Sequence, residues 1–245
     1  GGRAQIVVTR LIEMRHAKEE VNYLLTKKFN SFDPETRLTS IFYEETLKNL
    51  FVACSDGYIR IFKYQRGSLQ LITEHFYGKC ILKIHLVEGF VLSMATDGLI
   101  NFWQHETTSK LPLKLVDKLQ HNQSGINCFD IFKSSQGVFI IGTTGDDAGV
   151  FVTQFTVSRN EIQFLQTVSS FRIHSAQVTG LKFISEDTFY TTGVDQTVCK
   201  LQITNSTVKF LDRKFTCISD VKGFLFYDKN ILVYGAGLEV LENIL

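Results

Sequence analysis

Hydrophobic and polar positions along this chain fall into short runs that recur. The stretch "FYTTGVDQTVCKLQI", Phe189 to Ile203, opens apolar, passes through small and turn residues, and then alternates strictly. The segments "FVACSDGYIRIFKY", "VLSMATDGLINFWQ" and "FIIGTTGDDAGVFVTQF" repeat the arrangement. Alternation at period two marks a half-buried strand. An Asp-Gly pair between two such runs marks a tight hairpin, because glycine takes positive φ at little steric cost. Hairpins are therefore expected at Asp56-Gly57 and Asp97-Gly98, with a weaker signal of the same kind at Asp195-Gln196.

The turns are spaced regularly. Asp56 to Asp97 is 41 residues, Asp97 to Asp147 is 50, Asp147 to Asp195 is 48, and the last such turn, Ala236-Gly237, follows 41 to 42 later. Each hairpin has a strand-like run before it, such as "CILKIHLV" or "VTGLKFIS", and another after it, such as "IQFLQTVSSF". Four-stranded repeats of about 40 to 45 residues are the signature of propeller blades. The expected fold is all-β, a β-propeller with degenerate blades. Four full blades would span 38–216, and a last one, 217–245, shows three strands. Residues 1–37 read as a closing or partial blade, with 5–14 or 20–29 as strands that pair into the last blade and remove open edges. A short amphipathic helix over 12–25 competes with that reading. About seven blades would need roughly 280 to 310 residues at this repeat length. Either blades lie upstream, or the propeller has fewer.

Composition adds boundaries. The chain has 245 residues, 44% hydrophobic, enough for a sizeable core, and its 26 basic and 25 acidic residues leave a formal charge of +1. Such a balance excludes capture of nucleic acid by bulk charge, though a local basic face stays open. Only two prolines argue against a linker-rich chain. The five cysteines, Cys54, Cys80, Cys128, Cys199 and Cys217, form no C-x-x-C pair. They read as small apolar residues in a reducing, cytoplasmic setting, without disulfides or zinc. No apolar run approaches the roughly 18 residues of a membrane span, and no signal peptide opens the chain. It begins Gly1-Gly2, as a piece of something longer or a tag remnant would.

The lone aspartates acquire a structural task when the units are set beside WD-repeat blades, which they resemble. In such a blade an Asp in the turn after the second strand accepts hydrogen bonds from a His ahead of the first strand, and a Ser or Thr and a Trp extend the network. His174 precedes "VTGLKFIS", with Thr192 and Asp195 after it; His121 precedes "INCFDIF", with Thr144 and Asp147; His75 precedes "CILKIHL", with Asp97 and Trp103. Trp103 is the single Trp, and Phe62 and Leu201 stand in its place elsewhere. A His with an Asp could also be a catalytic dyad. Recurrence in successive blades suits a scaffold and not one active site.

Other signals are weaker. "GTTGDDAG" lacks the Gly-Lys-Ser/Thr ending of a phosphate loop, and Asp146 with Asp147 lacks the spacing of a calcium loop. "GAGLEV" has no third glycine and no βα unit. No catalytic set and no cofactor motif is found. Basic residues Lys79, Arg172, Arg213 and Lys214 fall between blades and are expected in loops on one rim. They are candidates for RNA phosphates or a partner, with a solvated rim as the plain alternative. Lys27-Lys28 is not placed.

Four stretches carry a closer resemblance: "FDPETRLTSI", "HNQSGINCFDIF", "HSAQVTGLKFISEDTFYTTGVDQTVCKLQI" and "ISDVKGFLFYDKNILVYGAGLEVLENIL". Together, over about residues 32–245, they resemble the C-terminal region of the WD-repeat subunit that partners the tRNA wobble-nucleotide ribose 2′-O-methyltransferase. The resemblance implies the last propeller of a longer protein, non-catalytic, that binds the methyltransferase and helps place the tRNA anticodon loop. S-adenosylmethionine would belong to the partner, and no membrane is implied. Two other classes compete: a protein-interaction scaffold, such as a ubiquitin-ligase substrate receptor or trafficking adaptor, and, last, a propeller enzyme.

Overall fold

A computed structural model describes residues 5–10, 22–28, 35–65, 68–105, 113–158, 161–171 and 173–242. All regular structure among them is β-strand. Strands β1 (Gln5–Arg10) and β2 (Asn22–Lys28) pair antiparallel with each other, Gln5 opposite Lys28. The pair forms a two-stranded sheet. Of the segment 12–25, where a helix competed, residues 22–25 are strand and the others lie outside the described residues.

Four four-stranded antiparallel sheets follow. They are β3–β6 (Leu38–Glu44, Asn49–Cys54, Tyr58–Gln65, Ser68–Phe76) and β7–β10 (Ile81–Val87, Phe90–Ala95, Leu99–Gln104, Lys114–Gln120). Next come β11–β14 (Ile126–Lys133, Phe139–Gly145, Val150–Ser158, Glu161–Ser170) and β15–β18 (Val178–Phe183, Thr188–Gly193, Thr197–Ile203, Val208–Phe215). A three-stranded sheet, β19–β21 (Gly223–Tyr227, Asn230–Tyr234, Leu238–Leu241), ends the described chain. Second strands such as β4, β8 and β12 are buried along their whole length, so apolar and small residues fill both of their faces. The fourth strand β18 is exposed at every position but its first.

The chain divides into two compact units, residues 1–93 with 102–115 and residues 94–101 with 116–245. In the first, Phe51, Ile59, Ile61, Ile81, Ile84 and Trp103 share a core. In the second, one cluster joins Ile140 and Val152 to Leu181, Phe189 and Leu201, and another joins Tyr190 and Val198 to Phe224, Ile231 and Val233.

The hairpin turns share one geometry. The residue after each turn aspartate has positive φ: Gly57 (85°), Gly98 (76°), Ala148 (53°) and Gln196 (59°). Its N–H bonds the carbonyl three residues back, at Cys54, Ala95, Gly145 and Gly193, at 3.2 to 3.3 Å. Glycine is demanded at 98, where a Cβ would overlap the carbonyl oxygen of Asn122. Ala148 and Gln196 take the left-handed conformation at some strain, which explains why Asp-Gly signals only two of the four turns.

Candidate functional site

Asp195 is the centre of the best-formed constellation. The β16–β17 turn points its carboxylate at the segment that leads into β15. His174 Nδ1 lies 3.0 Å from Oδ1, the Ser175 N–H donates to Oδ2 at 2.9 Å, and Thr197 Oγ1 donates to Oδ1 at 2.8 Å. The other ring nitrogen, Nε2, meets Thr191 Oγ1 at 2.8 Å. Burial alone would lift the Asp195 carboxyl, but the bonds from His174 and the Ser175 N–H hold it below its ordinary value. Burial likewise works against a charged His174, yet its bonds to Cys199 and Asp195 leave it raised. The His174 side chain has no exposed surface and Asp195 keeps 9%. His174 is buried and Asp195 nearly so, and the two are engaged with the Ser175 N–H and the Thr191 and Thr197 hydroxyls, so this pair braces the turn.

Thr192 was expected in this network and is not in it. Successive strand residues face opposite ways, and the inward one here is Thr191. The Thr192 hydroxyl is buried without a partner, on the side of Gly180 and Phe224.

In the third sheet His121 does not meet Asp147. Asn122 stands four residues ahead of β11, as His174 stands four ahead of β15, and Asn122 Nδ2 donates to Asp147 Oδ1 at 2.8 Å. The Gln123 and Gly149 N–H groups complete the carboxylate's partners at 2.7 and 3.0 Å. His121, one residue earlier, turns inward. Its ring nitrogens meet Thr143 and Thr153 hydroxyls, both at 2.7 Å, and its ring stacks on Phe151 at 5.7 Å. Burial drives its pKa down to about 3. Thr144 faces the other way and meets Cys128 Sγ at 2.5 Å.

In the second sheet Asp97 caps its own turn, accepting from the Leu99 N–H at 3.1 Å. His75 belongs to β6, pairs with Ile59, and packs its ring 4.6 Å from Trp103. Trp103 Nε1 donates to Ser93 Oγ at 2.8 Å. The position four ahead of β7 holds Tyr77, so the sequence alignment of His75 was two residues out. The first sheet uses a residue that the sequence reading missed. Arg60, 3% exposed, holds Asp56 through Nη1 at 3.1 Å and Nη2 at 2.8 Å, and reaches Glu74 through Nε at 3.3 Å. The available signal was an arginine on the same strand face as the apolar Phe62, four residues after the turn aspartate.

The basic candidates separate. Lys79 is exposed in the β6–β7 connection of the first unit. Arg172 lies outside the described residues. Arg213 and Lys214 were expected in a loop and instead belong to β18, because alternation runs on to Phe215 opposite Thr197. Lys214 pairs with Asp212 at 3.7 Å. The Arg213 guanidinium donates to the Ile173 carbonyl at 2.5 Å and lies 5.3 Å over the Phe210 ring. It borders a cleft of about 400 Å³ with Ile173, Ser175, Thr197 and Phe215, backed by the His174–Asp195 turn. Lys27 and Lys28 pair with Ile6 and Gln5 in the first two strands.

Asp146, beside the turn carboxylate, accepts amide N–H groups from Asn127 and from Gln177, the latter at 2.7 Å. Among the described residues no three His, Cys, Asp or Glu side chains gather to hold a metal ion, and no helix is long and apolar enough to cross a membrane.

No family model matches the chain. It is similar to curated proteins named tRNA (34-2'-O)-methyltransferase regulator WDR6. The one from Drosophila melanogaster is 29% identical over 212 residues, 80% of this chain and 20% of that protein. Those from Pongo abelii and Homo sapiens are 27% and 26% identical over 235 residues, 77% of this chain and 21% of theirs. The chain thus spans about a fifth of the length of the curated relatives it matches. Among solved structures it resembles the crystal structure of the WD40 beta propeller domain of Doa1, with a TM-score of 0.63 and 14% identity, covering 98% of this chain and 77% of that one. The fold is a WD-repeat β-propeller, and the relatives are those that the four sequence stretches point to.

Proposed function

We propose that this chain is part of a non-catalytic WD-repeat subunit that binds a tRNA 2′-O-methyltransferase in the cytoplasm and helps position tRNA for ribose methylation of the wobble nucleotide. The observation that carries the proposal is the similarity, over three quarters of the chain or more, to proteins named regulators of that methyltransferase. The network geometry agrees with it. His174 and His121, the histidines that could have been general bases, are spent in buried scaffolding. The partner supplies S-adenosylmethionine chemistry, and this chain supplies surface.

Two experiments test it. Tagged chain, expressed in cells, is expected to co-purify a tRNA methyltransferase; recovery of ubiquitin-ligase or coat components in its place overturns the proposal. Purified chain mixed with labelled S-adenosylmethionine and tRNA is expected to transfer no label until the methyltransferase is added, and label in the RNA without it refutes a non-catalytic role.

Within this reading Lys79, Arg213 and Lys214 are proposed phosphate contacts. Replacing Arg213 and Lys214 by Glu is expected to weaken tRNA binding by the assembled complex. It also makes the salt dependence shallower by about 1.4 in the log–log slope, at roughly 0.7 per single-strand phosphate contact. Affinity measured at two salt concentrations checks this; an unchanged slope leaves these residues as a solvated edge.

A further inference from the structure

The exposed end of β18 is built differently from a solvated edge. Phe210, Arg213 and Phe215 stand opposite Leu201, Cys199 and Thr197, so they share one face of the strand. A bulge at Leu211 keeps Phe210 in phase with Arg213. Phe215 is 73% exposed, the most exposed large apolar side chain among the described residues. Beside it lies the cleft of about 400 Å³, at the small end of the range of ligand pockets, roughly 300 to 1,000 Å³. Phe171, 52% exposed, is held edge-on to Phe151 at 5.4 Å and opens the connection that follows β14.

The charges around the cleft select the ligand. Asp195 is already satisfied by His174, the Ser175 N–H and Thr197, so it is not free to draw a cation. Arg213 is the charge left facing outward. Its bonds to the Ile173 carbonyl and the Cys199 thiol leave some of its five N–H donors for a ligand and fix the plane of the guanidinium. A planar apolar ring beside an oriented guanidinium is the arrangement that holds an unpaired nucleotide, with the base on the ring and the phosphate on the fork.

We propose that this cleft binds one unpaired nucleotide of an RNA strand, its base stacked on Phe215 and its phosphate held by Arg213. This rests on the tRNA reading above and narrows it from backbone contact along an edge to a single-strand site. A phosphotyrosine peptide offers similar groups; the relatives' names, which contain tRNA and no peptide, favour RNA.

The test uses the whole chain with a labelled, unstructured RNA heptamer, a duplex RNA, and a phosphotyrosine peptide. Stacking on an aromatic is worth a factor of about 5 to 150 per base. Phe215→Ala is expected to weaken heptamer binding about tenfold or more, Phe215→Trp to hold it within about twofold, and neither to change duplex binding. Arg213→Lys, which keeps the charge and loses the fork, is expected to weaken it several-fold. Thermal melts confirm that the variants are folded, as an exposed site permits. Equal heptamer affinity for parent and Phe215→Ala, or no heptamer binding at all, overturns the site. Peptide binding that Phe215→Ala abolishes, without RNA binding, overturns it in favour of a protein ligand. The methyltransferase co-purification does not depend on this cleft, so it reports separately on whether the wider function holds.

Discussion

Acid is expected to destabilise this protein through His121. Its pKa falls from the ordinary 6.5 to about 3 because burial penalises the charged ring. The unfolded chain therefore takes up a proton near pH 6.5 that the folded chain refuses until about pH 3. The contribution of His121 is fully present above pH 6.5 and is lost as pH falls toward 3, by about 5 kcal/mol in all if no other group relaxes. His75 and His105 are lowered by burial and act with the same sign. His174 is raised, so its contribution is full below its unfolded value and fades as pH rises through the folded one. Asp195 is lowered, so its contribution is lost only below the ordinary carboxylate range. Between pH 6 and 4 His121, His75 and His105 therefore all act against the fold. Urea unfolding at pH 7.5, 6, 5 and 4 should show midpoints that fall with pH, with a flatter curve for His121→Gln, whose amide bonds Thr143 or Thr153 without titrating. Parallel curves for parent and variant would show that His121 carries no acid sensitivity.

Asp195→Ala is expected to cost about 3 kcal/mol, the size measured when one partner of a buried pair is removed. The change strands the His174 ring, with 0% of its side chain exposed, and the N–H of Ser175 together with the Thr197 hydroxyl. For a domain of this size the melting temperature drops by roughly 6 to 12 °C. Asp146→Ala provides the comparison: its carboxylate lies at the surface, and its loss should shift the melt by little. If both variants melt alike, the turn carboxylate does not brace the blade.

Much of this fold is legible in the residues. Alternation at period two locates the strands around Tyr58–Gln65 and Thr197–Ile203, and Asp-Gly pairs locate the tight turns, because both are local consequences of backbone sterics. Continuous apolar runs such as "FVLSMA" give the strands buried on both faces. The absence of a dinucleotide or phosphate loop is likewise a local fact. The basic edge is half legible: Arg213 and Lys214 are visible as charges, but alternation carried through Phe215 sets them in a strand.

What the sequence by itself determined is the strands, the turns and the spacing that makes them blades. What only the tertiary structure decided is which side chain meets each carboxylate. His174 reaches Asp195, but Asn122 takes Asp147, Arg60 takes Asp56, and Thr191 displaces Thr192. The physical reason is phase. A one-residue shift sends a strand side chain to the opposite face, and alternation in sequence shows the period without showing which face looks inward. That choice is set by pairing with strands about twenty residues away and by packing against the neighbouring sheet, and neither is written in the local pattern.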